Sequence, residues 1–239
     1  NLHLPPSHKN LAFVRHPRAA WRMFRVFINA AVAILCPSVS MACGVALILT
    51  IDVSNSVDPA EYRIQVDGMA AALRNPDIVE AMVSQEAAIA VVQWSGKDKQ
   101  ELSIPWTRIR TSLDAARLAT AAQLTTRAFT LSDTAPAEAI RFALPLFADV
   151  PDCKTKVVDV SGDGTPNAGT DIRNARNLAE RMGVTINGIA IESLGLAITN
   201  FYKRALITRD GFVITARTHR EYPDAIRRKI LRELSIVLG

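Results

Sequence analysis

Several common sources of function are missing from this sequence. The glycine-rich stretch "SGDGTPNAG" at 161–169 lacks the Gly-Lys-Ser/Thr ending of a phosphate-cradling loop. Histidine is scarce, with four in 239 residues. His219 stands alone, and no His/Cys cluster has the spacing of a zinc site. A basic surplus on the folded part is missing too. The chain holds 28 Lys and Arg against 23 Asp and Glu, but Lys9, Arg15, Arg18, Arg22 and Arg25 lie in the first 42 residues, which contain no acid. Those five account for the whole excess of +5. The charge is therefore no evidence for nucleic-acid binding, which needs a basic patch on the folded domain. No internal repeat or low-complexity tract occurs. What remains is 49% hydrophobic and 21% charged, which suits one ordinary globular domain with a real core.

The first 42 residues read as an address. "MFRVFINAAVAILCPSVSMAC" begins at Met23 with a short basic region. An apolar stretch follows from Val26 to Leu35, then a polar region with Pro37, ending in the small-residue site Ser40-Met41-Ala42. Residues 23–42 are therefore expected to be a signal peptide, and residues 1–22 an extension upstream of it. The apolar stretch is short for a bilayer span, so an N-terminal anchor is the lesser alternative. Lipid attachment at Cys43 is disfavoured, since no aliphatic residue stands three positions before it. The expected organisation is a leader over 1–42 and one domain over 43–239, periplasmic or secreted, with no stable membrane span in the mature chain.

Cysteine usage fits export. Cys36 leaves with the leader, and Cys43 and Cys153 remain as an even pair. Each immediately precedes an expected strand, Val45–Ile51 and Lys156–Val160. If those strands are parallel neighbours, a disulfide between Cys43 and Cys153 can form; two independent buried thiols are the alternative.

Val45–Ile51 is a continuous apolar run, the pattern of a buried parallel strand. Asp58-Pro59 with Glu61 predicts a helix start, and Asn75-Pro76 its end. "AAIAVVQW" and "QELSIPW" read as a hairpin with Pro105 at an edge position. Helices are expected over Ser112–Thr126, from the Ser/Asp/Thr cap of "LSDTAPAEAI" to about Phe147, over Asp171–Met182 and over Tyr222–Leu238. Further strands are expected at Val157–Val160, Val184–Ile191 and Phe212–Ala216. Strands alternating with helices imply a doubly wound α/β sheet, mostly parallel with one antiparallel edge strand and helices on both faces. Ligands bind such sheets beyond the carboxyl ends of the strands, where the strand order reverses.

Asp52 ends the first apolar run, and Ser54 and Ser56 follow at alternate positions. Thr134 precedes a helix, and Asp163 follows the strand "VVDV". Placed at loops of this kind, the five residues converge. Two carboxylates so close repel unless a cation sits between them, and an all-oxygen set suits a hard divalent ion such as Mg²⁺ or Mn²⁺.

The pattern Asp52-Val53-Ser54-Asn55-Ser56, then Thr134, then Asp163 resembles the metal-ion-dependent adhesion site of the von Willebrand factor A fold, a Rossmann-like architecture. The segments "DVSNSVDPAEYRIQVDGMAAALRNPDIVEA", "VVQWSG", "PWTRI", "DVSGDG" and "GVTINGIAIES" are similar to a bacterial family of unknown function within that fold. The resemblance implies direct metal contacts from Ser54, Ser56 and Thr134, with Asp52 and Asp163 binding mostly through water. Neutral hydroxyls leave the ion poorly neutralised, so its open position attracts a carboxylate from a protein or other partner. The implied function is an exported metal-dependent binding module rather than an enzyme.

Two other readings stay open. "SGDGTPN" resembles the late acidic loop of haloacid-dehalogenase-like phosphoryl-transfer enzymes, with Asp52 as nucleophile. Ser54, however, stands where that family needs an Asp, and Lys154 and Lys156, which precede the loop, lie within or before an expected buried strand. The other reading is a structural domain in which Asp52 and the serines satisfy turn amides and no metal binds. The loops "SNSVD", "LSDTAP" and "GDGTPNAG" would set partner choice. "ESLGLAITNFYKR", with Phe201 and Tyr202, is either a binding rim or the core packing of a short helix.

Overall fold

The computed structural model describes residues 43–193 and 195–235. The expected leader lies outside these residues, as do positions 236–238 of the predicted last helix. The strands are β1 (Val45–Asp52), β2 (Ala88–Trp94), β3 (Gln100–Arg108), β4 (Thr155–Gly162), β5 (Val184–Ile191) and β6 (Val213–Ala216). The helices are α1 (Pro59–Leu73), α2 (Pro76–Ser84), α3 (Ser112–Leu124), α4 (Pro136–Leu146), α5 (Ile172–Arg181), α6 (Ala197–Phe201) and α7 (Tyr222–Ser235). Among the described residues no helix is long and apolar enough to cross a membrane.

One sheet runs in the order β3-β2-β1-β4-β5-β6. All pairs are parallel except β2–β3. The central strand β1 is buried over its whole length, and its alternate side chains supply two cores. Val45, Leu47, Leu49 and Ile51 pack with Met69 of α1, Met82 of α2, Leu118 of α3 and Ile230 of α7. Ala46 and Ile48 face Ile140 of α4 and Ala179 of α5. A strand covered on both faces has no polar side to show, which is why its sequence is an unbroken apolar run. The edge strand β3 pairs irregularly with β2 between Ile89 and Val92, opposite the segment that holds Pro105.

Asp58 caps α1 by accepting from the Glu61 amide, while the Glu61 side chain accepts from the Asp58 amide. Asn75-Pro76 does more than end that helix. Asn75 accepts from the amides of Asp77 and Ile78 and starts α2 with Pro76 at its first turn. The expected side-chain cap of α4 is absent. Ala135, whose side chain has no acceptor, holds the N-cap position, and the Thr134 hydroxyl donates to Ser54.

Cys43 and Cys153 are joined by a disulfide. They lie just before β1 and β4, with the Lys154 amide bonded to the Cys43 carbonyl at 2.9 Å. The tie is at the amino ends of these two neighbouring strands. Elsewhere α7 carries charge into the core. Lys229 Nζ lies 2.7 Å from Asp159 Oδ1 on β4 and 2.5 Å from Glu233 Oε1. Asn187 on β5 donates to the same Glu233 oxygen at 2.8 Å. Burial pushes the Asp159 carboxyl up to about 7, against the pull of Lys229.

Candidate metal centre

The strand order reverses between β1 and β4, and Asp52 closes β1 there. The Ser54 amide donates to Asp52 Oδ1 at 2.8 Å, closing a tight turn. That turn sets Ser54 and Ser56 side by side, their hydroxyl oxygens 3.1 Å apart. Thr134 Oγ1 donates to Ser54 Oγ at 3.1 Å. Ser56 Oγ donates to Asp163 Oδ1 at 2.5 Å. All five residues named from the sequence therefore stand in one constellation at the carboxyl edge of the sheet, drawn from three separate loops.

The loops are held by groups the sequence did not single out. The Arg127 guanidinium donates to the carbonyls of Val53 and Ser54 at 2.9 and 2.8 Å, fixing the first loop. Asn167 Oδ1 accepts from the Thr134 amide at 2.8 Å, and its own amide bonds the Thr134 carbonyl at 3.1 Å. That pair of hydrogen bonds ties the Thr134 segment to the glycine-rich loop after β4. An open groove of about 810 Å³ runs beside the cluster, lined by Asn55, Ser56, Lys97, Leu131, Thr134 and Asn167 among others.

Electrostatics at the floor are strained. Asp52 is completely buried, and burial pushes its carboxyl up to about 7. The neighbouring Asp163 charge adds to the rise, while hydrogen bonds from Ser54 oppose it. Asp163 is raised by burial as well, against the pull of its bond from Ser56 and of His219. Asp52 Oδ2, Trp94 Nε1 and Tyr202 Oη are buried with no hydrogen-bond partner. They lie around Gly162, where an added Cβ would sit 2.7 Å from Tyr202 Oη and 3.0 Å from Asp52 Oδ2. The Asp52 and Asp163 carboxylates, with the three linked hydroxyls of Ser54, Ser56 and Thr134, make an all-oxygen donor set that fits a hard divalent cation.

One open alternative is resolved, and one expectation changes. Tyr202 is fully buried in the core on the α4–α5 face, so it is no part of a binding rim. "AITNFYKRAL" forms α6 and one following helical turn, with Phe201 packed against the same core. His219, isolated in sequence, is not isolated in space. Its Nδ1 faces Glu61 Oε1 at 3.0 Å and its Nε2 faces Asp163 Oδ2 at 3.7 Å. The close packing of α7 on α1 brings it there. At Gly68 an added Cβ would lie 3.0 Å from Pro223 Cα, so only glycine lets the two helices approach this far. A His three residues beyond the carboxyl end of a parallel strand is the signal that could have found it.

This fold, with its oxygen cluster at the strand-order reversal, defines the class as a von Willebrand factor A-like domain. The chain belongs to the family described as "Protein of unknown function (DUF1194)", which it matches over residues 42–237. No curated protein matches it. Among solved structures it is similar to proximal thread matrix protein 1 from the mussel byssus, in a form with a zinc-occupied MIDAS motif. That match has 19% identity and a TM-score of 0.62, and covers 81% of this chain and 48% of the other. A von Willebrand factor type A protein from Catenulispora acidiphila matches at 17% identity and a TM-score of 0.57, covering 81% of this chain and 43% of the other. The vWF domain of the type V pili tip protein Mfa5 from Porphyromonas gingivalis matches at 11% identity and a TM-score of 0.57, covering 83% and 97%. The chain spans about half the length of the mussel protein. These likenesses concern the fold.

Proposed function

We propose that this chain is an exported binding module that holds Mg²⁺ or Mn²⁺ and captures a carboxylate of a protein partner. Ser54, Ser56 and Thr134 would contact the ion through their hydroxyls, and Asp52 and Asp163 through water. The observation that carries this is the meeting of three loops at the strand-order reversal, where linked hydroxyls of Ser54, Ser56 and Thr134 join the Asp52 and Asp163 carboxylates. When bound, the ion supplies an under-neutralised positive charge that attracts an anionic ligand. The protein's own part is to pre-position the hydroxyls. Arg127 and Asn167 hold two of the loops in register before any ligand arrives. The adjoining groove, with exposed Leu131 and Lys97, offers room for the partner's chain beside its carboxylate.

Two further points support the reading. A mussel relative of the same fold carries zinc at its MIDAS motif, and the Mfa5 domain belongs to a pilus tip protein. The disulfide suits an oxidising compartment outside the cytoplasm, in keeping with a signal peptide over 23–42 and a mature domain over 43–239. The phosphoryl-transfer reading is weaker. Lys154 and Lys156 lie at the amino end of β4, and Asp163 follows its carboxyl end. The test is calorimetric titration of the oxidised protein with Mg²⁺ and Mn²⁺ beside Asp163→Ala. Saturable binding lost in the variant is expected. Absence of binding at millimolar ion overturns the reading.

A further inference from the structure

We propose that Asp163 is shared by two contiguous cation positions, and that the second, built with His219, takes a borderline ion of the Zn²⁺ class. The inference rests on the cation reading above for the first position only. The two oxygens of Asp163 serve different neighbours. Oδ1 accepts from Ser56 within the hydroxyl cluster at 2.5 Å. Oδ2 faces His219 Nε2 at 3.7 Å. That separation is too long for a hydrogen bond. It is close to the spacing of two donors on one ion, since Zn–N and Zn–O distances near 2.0–2.2 Å put neighbouring ligands about 3.0–3.6 Å apart.

The imidazole is presented for such a role. His219 is only 11% exposed at its side chain, and its Nε2 is covered and has no hydrogen-bond partner. A core histidine used for packing alone would find an acceptor or donor there. On the other side of the ring, Glu61 Oε1 lies 3.0 Å from Nδ1. Glu61 is itself immobilised, because its other oxygen accepts from the Asp58 amide in the α1 capping box. A carboxylate at Nδ1 holds the proton on that nitrogen and leaves the Nε2 lone pair free for an ion, the usual carboxylate–histidine–metal arrangement. An imidazole nitrogen is a poor ligand for Mg²⁺ and a good one for Zn²⁺. The hydroxyl position and the His219 position should therefore sort ions by hardness.

The experiment titrates the oxidised protein with Mg²⁺ and, under chelator buffering, with Zn²⁺, for wild type, His219→Gln and Glu61→Gln. Glutamine at 61 can still complete the capping box. Expected is a loss of at least tenfold in Zn²⁺ affinity in both variants, with Mg²⁺ affinity held within about threefold. A readout on the unmodified protein accompanies it: the ring ¹⁵N resonances of His219 should shift at Nε2 on adding Zn²⁺ and stay put on adding Mg²⁺. If Mg²⁺ binds while Zn²⁺ leaves the His219 resonances unmoved and His219→Gln leaves Zn²⁺ affinity unchanged, this inference fails and the proposed function stands. In that case His219 serves only as an ion-pairing bridge between Glu61 and Asp163. If neither ion binds, both fail.

Discussion

Replacing Asp52 by Asn should stabilise the metal-free protein at neutral and alkaline pH while removing its response to cations. The carboxyl is fully buried, and burial raises it from an ordinary 3.8 to about 7. Between those values the folded protein keeps a proton that the unfolded chain has lost, so stability falls as pH rises through the interval. The loss grows by about 1.4 kcal/mol per pH unit and levels off above pH 7, at an upper limit of about 4 kcal/mol. Asparagine carries no charge. Its oxygen can keep the bond from the Ser54 amide, and its amide group replaces the oxygen that lacks a partner. For a chain of this size, 4 kcal/mol corresponds to roughly 8–16 °C in Tm. The assay is thermal unfolding of both proteins in chelator at pH 4 and pH 8, then at pH 8 with millimolar Mg²⁺. At pH 4 the two should melt within a few degrees of each other, because Asp52 is protonated in the fold. At pH 8 the variant should melt higher. Added Mg²⁺ should raise only the wild type and narrow the gap. A variant that melts at or below wild type in chelator at pH 8 would refute the view that a buried charge stores destabilisation there.

Three other outcomes follow from the geometry. Thr134→Ala removes one hydrogen bond to Ser54, worth about 1 kcal/mol in the metal-free protein, yet should lower Mg²⁺ affinity at least tenfold by calorimetry. Lys229→Met leaves Asp159 and Glu233 buried without their cation and should cost about 3–5 kcal/mol in urea unfolding at pH 7.5. That deficit should shrink below pH 5, as Asp159, raised by burial, takes up a proton; a deficit equal at both pH values would contradict the ion-pair account. Replacing both Cys43 and Cys153 by Ser should cost about 2–5 kcal/mol and leave Mg²⁺ affinity unchanged, since the bridge lies at the other end of β1 and β4 from Asp52 and Asp163.

The sequence made some parts of this molecule readable and hid others, for physical reasons. The apolar run of β1 is legible because burial on both faces leaves it no alternation to blur. The start of α1 is legible because its cap is local, three residues from donor to acceptor. The meeting of the five oxygen residues follows from their order and spacing along the loops of the fold. What fails is whatever depends on contacts across the chain. Asn75-Pro76 both ends one helix and caps the next, and only the first role shows in a linear reading. Thr134 looks like a cap and is spent on Ser54, 80 positions away. The segment of Tyr202 reads equally as a rim or as a packed short helix, and only the fold decides: its ring fills the space above Gly188, where an added Cβ would stand 2.6 Å from Cδ2. His219 meets Glu61 and Asp163 only after α7 has packed on α1.

The disulfide also changes how the fold bears a pull. Cys43 and Cys153 are 110 residues apart in sequence, a segment that would reach roughly 360–400 Å if drawn straight. A load applied at Cys43 itself, against a ligand held at the opposite edge, passes across the sulfurs into β4. It cannot peel β1 away and pay out the helices behind it. The module then behaves as a short, stiff tether with its slack sealed off. In a reducing environment the same pull could release that hidden length.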